Sequence, residues 1–199
     1  MNNSVEIKCE KIAKLLHIMM YLALASILNS VISMLPFVPG WVTTLISQGI
    51  VLGITICLLQ LAPANPRYKK AGILRAAMLI CALITSFVYT LSILTFVASI
   101  LSIIAVYQEY NAHSELIAEK DAKLSGKWHS LFTWSIVAGV LVGFGSTATV
   151  VILALLEMDV VRLTSIIVGI LCVPQIVIDF VYMMYLKRMI PYFAEGEVQ

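Results

Sequence analysis

Long apolar runs broken by short polar stretches make up this chain, and the run lengths predict its elements. The most informative run is residues 72–107, GILRAAMLICALITSFVYTLSILTFVASILSIIAVY, whose single charge, Arg75, lies near its start. As one helix those 36 residues would extend roughly 54 Å at 1.5 Å per residue. A bilayer core is about 30 Å thick and takes about 20 residues. The run therefore predicts two helices back to back, turning near Tyr89, Thr90, Leu91 and Ser92. Applied to the whole chain, the same reasoning predicts an all-α, polytopic transmembrane bundle of six helices in three hairpins. The spans fall at about 12–35, 42–61, 71–89, 91–110, 128–156 and 160–189, and residues 1–199 form a single transmembrane domain.

The connections are short. Pro36, Pro39 and Gly40 mark a tight turn, with Trp41 suited to anchor at a bilayer interface. Residues 64–70 form a basic loop after Pro63, and Glu157-Met158-Asp159 an acidic turn. One stretch differs. Residues 109–128, EYNAHSELIAEKDAKLSGKW, are strongly polar, yet Val106, Tyr110, His113, Ile117, Leu124 and Trp128 recur roughly at helical spacing. This predicts a cytoplasmic amphipathic helical extension between helices 4 and 5, stopping at Ser125-Gly126.

Composition supports a membrane setting: 61% of residues are hydrophobic and 12% charged, against roughly 25% charged in soluble domains. The first apolar run, from Ile18 to Leu35, exceeds a signal-peptide core and lacks a small-residue cleavage site, so it reads as a span. A net charge of +2 without a dense basic tract argues against nucleic acid as a partner. Cys9, Cys57, Cys81 and Cys172 are widely separated, which argues against a disulfide framework or zinc site, and no metal or cofactor is expected.

Charge also orients the chain. With six spans, twelve of the thirteen Lys and Arg residues fall on one side and only Arg162 on the other. Joining residues 72–107 into one span would leave eight against five. The positive-inside rule favours six spans, a multi-pass protein of the cell membrane with both termini cytoplasmic.

Candidate chemistry is sparse. Asp179 stands well inside the sixth helix, where a carboxylate is costly and marks a functional site or a buried pair. Pro174 removes a backbone hydrogen bond from that helix, and Gln175 shares the face of Asp179 at i,i+4. These residues point to a site for a small-molecule solute or cation, with Asn29 or Gln48 facing it. The alternative is a structural pair of Asp179 with His17, Lys14 or Arg75, Arg75 otherwise snorkelling to the surface. Glu109 and His113 have a spacing compatible with two metal ligands, without convincing further ligands. Gly49/Gly53 and Gly139/Gly143 form Gly-x-x-x-Gly steps suited to close helix packing within the chain or across a homodimer. Recognised catalytic motifs are missing, so an enzyme is not expected.

The stretch from Tyr107 to Ile117, with Asp121, Leu124-Ser125 and Lys127-Trp128, resembles one in uncharacterised small multi-spanning membrane proteins of Gram-positive bacteria. That resemblance implies no activity. In size and span count the chain is also similar to the substrate-binding subunits of energy-coupling-factor vitamin transporters. Two functional expectations emerge: solute binding or transport at the polar site on the last helix, or a non-catalytic accessory role. In the second, a cytoplasmic protein partner docks on Tyr110, His113, Ile117 and Leu124.

Overall fold

The computed structural model describes residues 3–35, 37–87, 92–155 and 160–194, with side chains described except at 3–8, 86–87, 92, 95, 142–155 and 160–172. Among these residues it is all-helical: α1 (Asn3–Ser33), α2 (Gly40–Leu61), α3 (Pro66–Phe87), α4 (Ser92–Ile117), α5 (Ala122–Leu155), α6 (Val160–Met189) and a single turn, α7 (Pro191–Ala194). The run 72–107 does divide into two helices, which pack along each other. Of the turn expected between them, only Ser92 falls among the described residues, where it opens α4. The acidic turn and the Gly143 half of the second glycine step lie outside the described residues or side chains.

Local chemistry moves three boundaries. The basic stretch 64–70 is largely helix, because the Arg67 backbone N–H donates to Asn65 Oδ1 at 2.8 Å and Pro66 takes the first helical position, where a missing N–H costs nothing. The break after α4 falls at residues 118–121, not at Ser125-Gly126. There Asp121 Oδ1 accepts from the Leu124 backbone N–H at 2.9 Å, an N-cap that starts α5 and carries the helix straight through Gly126. At its start, α1 runs well into the polar lead before residue 12.

Among the described residues, the long helices touch in the order α1–α2–α3–α4–α5–α6, and α6 returns to α1, closing a ring. Neighbours run antiparallel: Asn29 meets Thr43, Arg67 meets Glu115, and Ser114 meets Ser125. One end of the ring is densely packed. Leu16 and Met19 of α1, Leu58 and Leu61 of α2, Ile117 of α4, Trp128 of α5, and Leu186 and Met189 of α6 are fully buried there. Phe193 of α7 closes over them, and Lys120 Nζ reaches both the Tyr192 carbonyl at 2.8 Å and the Phe193 ring.

The outer faces are apolar. Leu24 and Leu28, Leu45 and Leu52, Ile73 and Ile80, Ile93 and Ile100, Trp134 and Leu141, and Val177 and Phe180 are exposed, a set drawn from each of the six long helices. Trp41 is 68% exposed in the first turn of α2. Among the described residues, two helical segments, Cys9–Ser33 and Gly40–Leu61, are long and apolar enough to cross a membrane.

The glycine steps divide. Gly53 packs tightly, a Cβ there meeting Leu22 at 3.0 Å, whereas Gly49 and Gly139 have open space around them. The closest approach is at a glycine outside the expected steps: a Cβ on Gly72 would sit 2.7 Å from Leu59 Cδ2.

Candidate functional site

The polar side chains of the central stretch have their partners in distant segments. Glu109 on α4 points into the ring and is 1% exposed. Its Oε2 accepts from Arg75 Nε at 2.9 Å and Nη2 at 2.6 Å. Its Oε1 accepts from the Tyr182 hydroxyl at 2.6 Å. Arg75 is 14% exposed and does not snorkel. The Glu109 carboxylate on the neighbouring helix α4 offers it a stronger interaction than the surface does, a charge-assisted pair at low dielectric.

Aromatic rings wall in this pair. Tyr110 stacks on Tyr182 with ring centres 5.6 Å apart, and Trp128 meets Tyr182 edge-on at 5.5 Å. His113 stacks on Trp128 at 4.6 Å, and its Nδ1 shares a 2.8 Å hydrogen bond with the Tyr68 hydroxyl. Its Nε2 faces Glu109 Oε1 from 4.0 Å, buried and without a hydrogen-bond partner. Burial holds the His113 pKa down to about 4, outweighing the pull of the Glu109 charge, so the imidazole is neutral at physiological pH. Burial likewise raises the Tyr68 hydroxyl well above its ordinary range, with Glu109 and Glu115 adding to the effect. Glu109 and His113 thus spend their reach on Arg75, Tyr182 and Tyr68.

This corrects the docking-surface expectation. Tyr110, His113, Ile117 and Leu124 are all buried. They hold one face of the polar stretch inside the ring, where Ser114 bonds the Ser125 hydroxyl at 2.8 Å, while Asn111 donates to the Tyr107 carbonyl of its own helix.

Beyond the packed end lies a cavity of about 1070 Å³ to which all six long helices contribute. Arg75, Glu109, Tyr110 and Tyr182 form its floor; Asp179 and Gln175 stand on its α6 wall; Ser26, Ser47, Ser102 and Ser135 add hydroxyl groups around it. Along α4 the lining runs from Phe96 to Tyr110, roughly 21 Å of helix. Gln175 Nε2 donates to Asp179 Oδ1 at 3.0 Å. Among the described residues no cationic side chain lies within ion-pair distance of Asp179, since Arg75 is engaged by Glu109.

The other expected site residues separate from this pair. Asn29 is buried and donates to the Thr43 carbonyl at 3.0 Å, tying α1 to α2. His17 is exposed, with its Nδ1 3.2 Å from the Ala13 carbonyl of its own helix. Asn29, Gln48, His17 and Pro174 do not line the cavity, whereas Ser47 and Gly139 do. The sequence reading missed Arg75, Glu109, Tyr110 and Tyr182 as lining residues. The signal for the α4 pair was the helical spacing of apolar and aromatic positions through residues 106–128, which marked an inward face.

Comparison with protein-family models, with curated proteins and with solved structures returns no match.

Proposed function

We propose that this chain is a six-span membrane protein that binds or transports a small solute in the cavity of its helix ring, with Asp179 and Gln175 as the principal polar contacts. The observation that carries this reading is the Asp179 carboxylate, which has no cation within ion-pair distance among the described residues, in a cavity lined by all six long helices. A cavity of this volume accommodates a small organic molecule, and an unpaired carboxylate among apolar helices is retained at an energetic cost. The exposed apolar residues on every long helix support six spans, since a soluble protein rarely presents so continuous an apolar surface. The basic segments also favour the arrangement. Arg67 and Glu115, and Lys120 and the Tyr192 carbonyl, meet at the same packed end of the ring. That end is the cytoplasmic one in this reading.

Replacing Asp179 by Asn tests the site. The expected outcome is loss of a small molecule that co-purifies with, or is taken up by, the parent chain, with folded yield preserved. Native mass spectrometry of the protein extracted gently from its membrane reads both. Equal loss of folded protein and bound solute would instead make Asp179 a structural carboxylate.

A further inference from the structure

We propose that the solute is a compact organic cation, an ammonium compound for which Asp179 is the counter-ion; this rests on the solute-binding reading of the cavity. Among the described residues, three charged side chains line the cavity: Arg75, Glu109 and Asp179. Arg75 and Glu109 neutralise one another through two short hydrogen bonds to a single carboxylate oxygen, and Tyr182 occupies the other oxygen. This pair is internally complete and sits at the floor. What remains is one carboxylate, held by the amide of Gln175 but without a cation among the described residues. A buried charge requires a partner or an ion to offset its desolvation, and a ligand carrying one positive charge completes the set.

The rest of the lining fits that class. Phe96, Tyr110 and Tyr182 offer aromatic faces, which attract cations once water is displaced. The serine hydroxyls around the wall accept hydrogen bonds from an ammonium group. A bare metal ion is a poorer fit. The space far exceeds one ion, and among the described residues no group of three or more His, Cys, Asp or Glu side chains converges as metal ligands would. An anionic solute would meet Asp179 with like charge while Arg75 is already engaged.

The test uses the full chain in lipid nanodiscs and three probes of matched size at pH 7: benzylamine as the ammonium ion, benzyl alcohol and benzoate, with binding measured by equilibrium dialysis. Benzyltrimethylammonium, whose charge is permanent, serves as a fourth. The expected result is binding of both cations at least tenfold tighter than the alcohol, with benzoate weakest. That preference disappears in Asp179→Asn and survives in Asp179→Glu, which also shows that loss in the first variant is not misfolding. Equal binding of alcohol and cations, or a preference for benzoate, would overturn the cationic class and leave the cavity as a solute site. Cation preference unchanged in Asp179→Asn would overturn the role of Asp179. Absence of binding by all four at millimolar concentration would overturn the cation class and the solute-binding reading together.

Discussion

Glu109 is the residue on which most of the buried polar structure converges, since it alone receives Arg75 from α3 and Tyr182 from α6. Removing one partner of such a pair strands the other charge in a low-dielectric interior, at a cost of about 3–5 kcal/mol. Glu109→Gln is therefore expected to lower the unfolding free energy of the purified protein by about that amount. The double variant Arg75→Met, Glu109→Leu removes both charges and should recover most of the loss, because a buried pair replaced by apolar groups of similar volume is often neutral. Denaturant titration in detergent measures both. A Glu109→Gln protein as stable as the parent would show that the pair contributes little. His113 occupies the same wall in a different capacity: neutral, stacked on Trp128 and bonded to Tyr68, it fills space between aromatic rings without adding charge.

At the scale of elements, close approach of α2 and α3 is set by Gly72 rather than by a repeated glycine step. Gly72→Leu would force its side chain into Leu59, where even a Cβ comes within 2.7 Å. Overpacking of this kind costs about 1–3 kcal/mol. Gly49→Ala, at a helical position with open space around it, should stabilise by about 1 kcal/mol through helix propensity. Thermal unfolding of the two variants side by side checks the contrast, and destabilisation by Gly49→Ala would indicate a packing partner at that face. The helices themselves were legible in the sequence because apolar run length is a local property. Dividing 72–107 into two helices needed only that measure. The burial of polar residues such as Glu109 and His113 within 109–128 was not legible in the same way. They are offset by Arg75, Tyr68 and Tyr182, which lie 34, 45 and 73 positions away from their partners. A polar helix whose partners are that remote reads, residue by residue, like a solvated one. Helix starts escape the pattern for a nearer reason: Asn65-Pro66 is a capping signal inside the expected basic loop, and Asp121 one inside the expected helical extension. The contact of Gln175 with Asp179 was legible because an i,i+4 pair on one helix needs no tertiary knowledge.

For the whole molecule, the proposed six-span arrangement makes a directional prediction. A green fluorescent reporter fused after Gln199 should fluoresce, as it does only when cytoplasmic. Trp41→Cys, at an exposed position near the opposite end, should react from outside intact cells with a membrane-impermeant maleimide beyond the level of the unsubstituted chain. A dark reporter, or labelling only after lysis, would mean an odd number of spans or the reverse orientation. Crossing by α1 and α2 alone would leave the outer faces of α3 to α6 in water, and those faces carry Ile80, Ile100, Trp134 and Val177.

The contrast between the two ends of the ring has an electrical consequence. One end is plugged by Trp128, Leu16, Leu61 and Met189, and the cavity lies beyond that plug. A dry plug and a wet hollow divide a membrane voltage unequally, the drop concentrating across the thin insulating layer. On the six-span reading, a cation descending to Asp179 crosses only a small part of that field. Moving a unit charge through the entire field is worth about 2.3 kcal/mol per 100 mV. Under the proposed solute-binding function, loading of the site would then be nearly indifferent to membrane potential, and most of the voltage would fall across the packed end beneath Arg75 and Glu109.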